Sequence, residues 1–317
     1  MNTIIKTLTE KYEKEGYETA RKFYESWEND GHELSDREVI LVRLFMAKLC
    51  VLNDDIEYAG SFFNVAVKHS KKVPVKANPE QAASVRRASA SAGGLFDDIV
   101  KMIPIPGQDF EMLSTPVTQK LYEAVMGTNP SHFKGDDLLP VESVSWYDAV
   151  FFCNKLSIME GLEPVYSING KTEFRSLDTV PEVNTSASGY RLPTVEEWKY
   201  AARGGENYKY AGSDDLGEVG WYDGNSYGAT HPVARKKANG YGLYDMSGNV
   251  WEWCSDWYGN YSSSSQTNPT GPNSGSDRVF RGGSWNCNAG YCRSSFRNKL
   301  IPVIRLFTLG LRLVLVP

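Results

Sequence analysis

Two cysteines near the C-terminus have residue types and a spacing that suit metal chemistry. Cys287 and Cys292 are separated by four residues. Paired thiolates suit a soft metal ion such as Cu(I), so the two cysteines are candidate metal ligands. The other three cysteines are scattered along the chain, at Cys50, Cys153 and Cys254. An odd, scattered set of cysteines does not predict a disulfide framework.

A second candidate site is formed by two acidic residues, Asp245 and Glu252, which lie seven positions apart around a Gly-Asn turn. Carboxylates in this arrangement suit a hard cation that prefers oxygen ligands, such as calcium. The alternative is structural, with both carboxylates accepting hydrogen bonds from backbone amides. Trp251 and Trp253 alternate at strand spacing, so we expect them to share one face of a strand while Glu252 takes the other.

Length, charge and hydropathy limit the classes of protein to consider. A chain of 317 residues predicts about two domains, or one large domain with an extension. Its 34 basic and 39 acidic residues give a net charge of −5, which argues against binding nucleic acid through overall charge. No apolar run is long enough for a transmembrane helix. The charged start has no export signal, which predicts either a protein that stays inside the cell or one whose leader was removed.

Three regions of different composition follow one another along the chain. Residues 1–75 have helical apolar stripes, and Ser35 and Asn53 are predicted to begin two of the helices. Residues 76–97 are rich in Ala, Ser and Gly and are predicted to form a linker. Residues 98–317 are rich in Gly, Trp and Tyr, and this region is predicted to be a separate domain.

Within this last region, two helices and one ion pair are predicted from local patterns. Ser145 is placed to cap a helix that runs to about Leu156, and Thr194 to cap one that runs to about Ala202. Arg191 and Glu197 are spaced to form a buried ion pair at the corner before the second helix. The rest of the region is predicted to be short strands and long loops.

Several sequence blocks in this region resemble the formylglycine-generating-enzyme, or sulfatase-modifying-factor, family. They occur in the family's order over about residues 100–317, and they include Val144–Ala149, Tyr190–Trp198, Gly242–Trp253, Arg281–Trp285 and Leu309–Leu313. The resemblance implies an α+β, C-type-lectin-like domain preceded here by the helical N-terminal region.

The resemblance also implies two metal sites, one for each candidate above. Calcium would be held by the acidic side chains and intervening backbone carbonyls of Asp245, Gly248, Val250 and Glu252. The family's other calcium loop, after Asn225, lacks its acidic residue here and is expected to be absent.

For copper, the resemblance implies that Cys287 and Cys292 correspond to the enzyme's copper-binding pair, and that Ser284, Tyr291 and Trp251 match active-site positions. However, the enzyme's downstream arginine-rich run and its Asn-Thr-Pro-Asp-Ser signature are missing. These departures remove much of what would position a peptide substrate.

The C-terminal segment is more similar to another branch of the same fold, the variable proteins of diversity-generating retroelements. In that branch, fixed scaffold residues alternate with positions that are rewritten by mutagenesis. The predicted variable segment spans about residues 281–312. The fixed positions would be Arg281–Trp285, Ala289, Cys292–Ser295, Arg297, Pro302, Arg305, Leu309 and Gly310. The variable, ligand-binding positions would be Asn286, Cys287, Asn288, Gly290, Tyr291, Phe296, Asn298, Lys299, Leu300, Ile301, Val303, Ile304, Leu306, Phe307 and Thr308.

These features predict a non-catalytic ligand-binding display protein with no catalytic residues, in which Cys287 is a product of variation and Cys292 a buried part of the scaffold. The segment from Arg281 to the end carries six basic and no acidic residues, so the face is expected to be apolar with a positive rim. The predicted partner is an unknown protein or cell-surface ligand and not nucleic acid. The predicted oligomeric state is a monomer, and the resemblance implies a location at the cell surface or outside the cell.

Two alternatives remain open at this point. One is a copper-dependent oxidase that converts a substrate cysteine to formylglycine. The other is a non-enzymatic scaffold domain of the same fold, whose N-terminal helices bind a partner.

Overall fold

The computed structural model describes residues 3–15, 17–29, 42, 46, 100–172, 179–259 and 271–316. The chain divides into two compact units, Met1–Ile99 and Val100–Pro317. The predicted helix starts at Ser35 and Asn53 and the predicted linker lie outside the described residues. Among the helices that are described, none is long and apolar enough to cross a membrane.

The described part of the first unit is helical, as expected for the N-terminal region. It contains α1 (Thr3–Glu15) and α2 (Tyr17–Asn29). Leu8 in α1 and Ala20 and Tyr24 in α2 are buried. In α2, the two buried positions lie four residues apart, which places them on one face of the helix.

The helices of the second unit begin at side-chain caps that satisfy their first backbone amides. Ser145 and Thr194 each form a capping box at the predicted helix start, with Asp148 and Glu197 as the reciprocal partners. Both helix predictions are therefore confirmed. The helices of this unit are α3 (Gln119–Met126), α4 (Trp146–Met159), α5 (Val195–Arg203) and α6 (Leu216–Val219).

The described strands of the second unit are short and form three sheets. The first sheet has the order β1-β2-β10-β5, the second is the pair β3-β4, and the third has the order β8-β7-β6-β9. All pairings are antiparallel except that of β6 with β9. The strands are β1 (Met102–Pro104), β2 (Glu111–Leu113), β3 (Tyr166–Ser167), β4 (Glu182–Val183), β5 (Tyr190–Arg191), β6 (Trp251–Trp257), β7 (Arg278–Arg281), β8 (Arg297–Leu300), β9 (Leu309–Gly310) and β10 (Val314–Leu315).

Strand β6 joins the core to the C-terminal segment. The rings of Trp251 and Trp253 both contact Phe280 of β7, at centroid distances of 4.9 and 5.8 Å. The carboxylate of Glu252 instead accepts hydrogen bonds from the Trp198 indole and from Arg312. The two tryptophans therefore share one face of the strand and Glu252 takes the other, as the alternation predicts.

The predicted corner before α5 is closed by an ion pair. The Arg191 guanidinium binds the Glu197 carboxylate with a shortest N–O distance of 2.6 Å. Burial raises the pKa of Glu197, but the bonds and charge of Arg191 outweigh burial and hold that pKa below its usual range. This pair fixes the direction in which the chain leaves β5 and enters α5.

Candidate functional site

The C-terminal segment places most of the predicted variable side chains at the surface. Of the fifteen, nine are exposed, five are half-buried and one is buried. The exposed ones are Asn286, Asn288, Tyr291, Asn298, Lys299, Ile301, Val303, Ile304 and Phe307. The half-buried ones are Cys287, Gly290, Phe296, Leu300 and Leu306. Among the predicted fixed positions, Arg281–Ser284, Cys292, Ser294, Pro302, Leu309 and Gly310 are buried.

A few positions depart from this alternation. Thr308 was predicted to be a surface position, but it is only 8% exposed. Its carbonyl accepts a hydrogen bond from the Trp251 amide at 2.8 Å, immediately before the parallel pairing of β6 with β9. Thr308 is thus part of the strand junction. Conversely, Arg293, Ser295 and Arg305 were predicted to be scaffold residues but are exposed.

The loop of residues 301–308 is held in place through its backbone. The Trp146 amide at the start of α4 donates to the Pro302 carbonyl at 3.0 Å. The Ser143 amide donates to the Leu306 carbonyl, also at 3.0 Å. Carbonyl groups are present whatever the side chain, so these two contacts do not depend on the residue type. The loop can therefore keep its path while its exposed side chains change.

An ion pair between two side chains, which we call the clamp, adds to these backbone contacts. The Arg305 guanidinium binds the Asp148 carboxylate through two N–H groups, at 2.7 and 2.9 Å. Asp148 also accepts from the amide and hydroxyl groups of Ser145. Burial raises the pKa of Asp148, but the bonds from Arg305 and Ser145 together hold it below its usual range. The role of Asp148 was not predicted, because no local pattern relates two residues 157 positions apart.

The adjacent loop, residues 284–292, is also held mainly by backbone contacts. The Trp285 amide donates to the Asn249 carbonyl at 2.9 Å. The Ser226 hydroxyl donates to the Trp285 carbonyl at 2.7 Å, and the Asp223 amide donates to the Cys287 carbonyl at 3.1 Å. Two surface loops, with β8 between them, thus present the variable positions on a common scaffold.

Two predicted ligand-binding aromatic residues pack on the core as well as facing outward. The rings of Tyr291 and Phe296 meet edge to face at 4.9 Å, and the Phe296 ring lies 6.1 Å from that of Trp251. Tyr291 is 42% exposed, whereas Trp251 is buried. Such ring pairs contribute about 0.5–1.5 kcal/mol beyond the burial of area. Tyr291 is therefore held in place at the surface.

The expected positive rim is largely neutralised by internal contacts. Arg281 and Arg312 are buried. Lys299 and Arg305 each form an ion pair with an aspartate from outside the segment. Arg293 is exposed and Arg297 is half-buried, so the predicted positive rim is reduced rather than absent. The prediction did not include the acidic residues that the rest of the fold brings next to the segment.

The two cysteines of the predicted copper pair lie in one small apolar cluster. Cys292 is fully buried, as predicted, and burial, with a smaller contribution from nearby Cys287, raises its pKa to about 12. Cys287 does not point straight into solvent as expected. It is half-buried, and its Sγ lies 3.2 Å from the Ser284 hydroxyl. Both cysteines are free thiols and pack with Tyr210, Leu216 and Val219.

This arrangement partly fits a soft metal ion. The two cysteines pack in the same cluster, and a shared copper ion would require their sulfurs to be close together. However, the buried environment of Cys292 disfavours its thiolate, which is the form that binds metal. The other residues that match the enzyme's active site differ in their surroundings. Ser284 lies beside Cys287, Trp251 is buried and Tyr291 is exposed.

The predicted calcium ligands already have protein partners. Arg312 donates to both carboxylate oxygens of Glu252, at 2.7–3.0 Å, and the pair is almost completely buried. Asp245 accepts from the Ala234 amide and from the Asn249 side chain. Calcium would therefore have to share Glu252 with a guanidinium that already neutralises it, which fits the ion poorly. No group of three or more His, Cys, Asp or Glu side chains suited to a metal occurs among the described residues. The calcium set Asp245, Gly248, Val250 and Glu252 remains a prediction.

Comparisons with known proteins agree with the family suggested by the sequence blocks. A family model described as "Sulfatase-modifying factor enzyme 1-like domain" matches residues 69–316. The chaperone protein LppX of Paenibacillus barcinonensis is 38% identical over 218 residues, which cover 60% of this chain and 74% of LppX. The formylglycine-generating enzyme of Mus musculus is 32% identical over 236 residues. That match covers 63% of this chain but only 55% of the mouse enzyme.

Among solved structures, variable protein 1 of Treponema denticola is similar in both fold and sequence. It has a TM-score of 0.62 and 38% sequence identity, and the match covers 69% of this chain and 92% of that protein. The similarity confirms the predicted α+β, C-type-lectin-like fold class. It also confirms the resemblance to the variable proteins of diversity-generating retroelements.

Proposed function

This chain belongs to the sulfatase-modifying factor enzyme 1-like domain family, and we propose that within it the chain is a non-catalytic ligand-binding display protein. Its binding surface is the variable segment of about residues 281–312. The observation that supports this proposal is the burial pattern of the segment, in which exposed, changeable side chains alternate with buried scaffold positions. Binding takes place by surface complementarity, with no bond made or broken.

The exposed side chains of the segment are of the kind that contribute binding energy. Ile301, Val303, Ile304 and Phe307 are each 37–51% exposed within seven residues of chain. Isolated exposed apolar residues are common, but a group of them marks an interaction site. Tyr291 adds a second aromatic side chain, and aromatic anchors carry much of the energy in protein interfaces. An apolar protein or cell-surface ligand suits this face better than nucleic acid.

The similarity to the Treponema variable protein supports this proposal, because the match in sequence and fold covers 92% of that protein. We infer from the same resemblance that the chain acts at the cell surface or outside the cell, and we propose that it is a monomer.

The proposal is tested by rewriting the exposed positions and measuring stability. In one variant, Asn286, Asn288, Ile301, Val303 and Ile304 are all changed to Ser. Surface substitutions usually cost less than about 0.5 kcal/mol each, so the melting temperature should fall by less than about 10 °C. The control is Trp251→Ala, a single change of a buried ring, which should cost about 3–5 kcal/mol. A loss of tens of degrees in the rewritten variant would show that these side chains belong to the core and would contradict the proposal.

A second candidate function is favoured by the proximity of the two cysteines. If the chain is a copper-dependent formylglycine-generating oxidase, Cys287 and Cys292 would hold the copper as thiolates, and the metal would supply the redox chemistry with oxygen. The family includes such enzymes, and the mouse enzyme is a clear relative. This candidate differs from the first in requiring turnover of a substrate cysteine.

The two candidates are distinguished by an activity assay. The protein is incubated with copper, oxygen and a cysteine-containing peptide, and the peptide is analysed for an aldehyde by mass spectrometry. We expect no aldehyde, because the enzyme's downstream arginine-rich run and substrate signature are missing from this sequence. Aldehyde formation that is abolished by Cys287→Ser would establish the oxidase instead.

A further inference from the structure

Four aromatic rings meet at the surface beside the variable segment. The Phe307 ring lies 5.6 Å from His132, 5.8 Å from Trp285 and 6.4 Å from Phe133. Phe133 also meets Trp285 edge to face, at 5.3 Å. His132 is exposed, while Phe133 and Trp285 are half-buried. We call these four residues the aromatic platform. Only Phe307 is a predicted variable position, so three of the four rings belong to the fixed part of the protein.

The loop that carries His132 and Phe133 is held by two amide side chains, of the buried Gln119 and the half-buried Asn129. The Gln119 side chain donates to the Phe133 carbonyl at 2.9 Å, and it accepts from the side chain of Asn129, also at 2.9 Å. Asn129 in turn accepts from the Ser131 amide at 3.0 Å. These bonds fix the backbone on both sides of His132.

A buried carboxylate holds the same loop from below. Glu142 has no exposed surface. Its carboxylate accepts from the Phe133 amide at 2.9 Å and from the Ser143 hydroxyl at 2.7 Å, while its own amide donates to the Ser131 hydroxyl. Burial raises the pKa of Glu142, and the bonds it accepts only partly oppose that rise. A buried carboxylate is costly unless it accepts hydrogen bonds. Glu142 therefore keeps the Phe133 amide as a donor, and this bond holds the loop in place.

The variable position 307 is attached to this platform through its backbone. The Trp285 indole donates to the Phe307 carbonyl at 3.3 Å. This bond remains when the side chain at position 307 changes. Any residue at position 307 therefore stands next to the rings of His132, Phe133 and Trp285.

We propose that the binding face extends beyond the variable segment to include the fixed aromatic platform, and that the platform receives an apolar side chain of a protein partner. This inference rests on the proposed binding function. The fixed rings would supply part of the affinity for every ligand, while the variable positions would select among ligands.

The charges around the face favour a protein partner over a polyanion. Of the three exposed basic residues of the segment, Lys299 and Arg305 are already paired with aspartates, and Arg293 by itself offers little to a phosphate or sulfate group. The exposed side chains of the loop at 301–307 are mostly apolar. Aromatic rings pack well against apolar and aromatic side chains. An apolar protein surface is thus the complementary partner.

The test uses the whole chain in a display library, because the natural ligand is unidentified. The nine exposed variable positions are randomised, and binders are selected in parallel against two probes, maltose-binding protein and heparin. His132→Ala is then introduced into ten independent binders of the protein probe, and dissociation constants are measured. The control is Val183→Ala, which removes a side chain that is 53% exposed on β4, in a separate sheet. Melting temperatures verify that every variant is folded.

We expect His132→Ala to weaken most protein binders about fivefold, equivalent to about 1 kcal/mol, while Val183→Ala leaves them unchanged. If His132→Ala has no more effect than the control, the platform does not take part in binding, although the proposed binding function stands. If only the heparin selection gives binders, the partner is a polyanion and the inference is overturned. If neither probe gives binders, the proposed function and this inference both fail.

Discussion

The clamp between Arg305 and Asp148 provides a quantitative test of how the variable loop is held. The two groups form a bidentate pair, but the Arg305 side chain is 46% exposed and that of Asp148 is 22% exposed. Exposed pairs contribute about 0.2–1 kcal/mol, since water screens them. Because this pair is bidentate and partly buried, we place it near the upper end of that range. Arg305→Ala should therefore cost about 1 kcal/mol.

Asp148→Ala should cost more, because it removes a second interaction. Asp148 completes the capping box at the start of α4 by accepting from Ser145. Loss of such a cap costs about 1 kcal/mol, so the single change should cost about 2 kcal/mol in all. The double variant should also cost about 2 kcal/mol rather than 3, which gives a coupling energy of about 1 kcal/mol.

The assay is urea denaturation of the native chain, the two single variants and the double variant. Arg293→Ala serves as the matched control, since Arg293 is an exposed arginine of the same segment. It should change the free energy of unfolding by less than about 0.5 kcal/mol. Salt at about 1 M should reduce the coupling, because it screens exposed charges. Strict additivity of the two single changes would refute the argument, because it would mean that the two side chains do not interact in solution.

Three further predictions concern the buried acids and the cysteines. If Asp245 and Glu252 bind calcium despite the pair of Glu252 with Arg312, calcium at about 100 times its dissociation constant should stabilise the fold by roughly 2.7 kcal/mol. Coincident melts in calcium and in chelator would remove Asp245 and Glu252 as a metal site. Burial raises the pKa of Asp245 and of Asp256 to about 6, so the folded state takes up protons more readily than the unfolded chain. The stability that these groups contribute should be full below about pH 4 and should be lost as the pH rises through about 6. Across this window, the urea midpoint of Asp256→Asn should depend less on pH than that of the native chain. An unchanged pH dependence would count against the assignment. Cys292→Ser should lower the melting temperature more than Cys287→Ser, because only Cys292 is fully buried; equal losses would show that both thiols are equally enclosed.

Local features of the second unit were predictable from the sequence because their partners lie close along the chain. The helices capped by Ser145 and Thr194 begin where predicted, since a capping box joins residues only three positions apart. The ion pair of Arg191 with Glu197 spans six positions and was also predicted. The α+β, C-type-lectin-like fold class followed from ordered blocks of sequence, each of which resembled the family by itself.

The composition of the binding face was only partly predictable. Alternation of fixed and variable residues correctly placed Ile301, Val303 and Ile304 at the surface. It did not reveal that Thr308 turns inward, because that depends on the pairing of β6 with β9. It also did not reveal that His132 lies against Phe307, since the loop at residue 132 contains no signal that relates it to the C-terminus.

The sequence by itself thus determined the family, the fold class and the starts of the helices capped by Ser145 and Thr194, and it marked the segment that we propose binds the ligand. Only the tertiary structure decided which partner each charged or reactive side chain has. Glu252 pairs with Arg312, Arg305 pairs with Asp148, and Cys287 packs in the cluster around Cys292. The physical reason is that a hydrogen bond or ion pair depends on distances of a few ångströms in space. Residues 60 or 157 positions apart come within that distance only when the whole chain has packed.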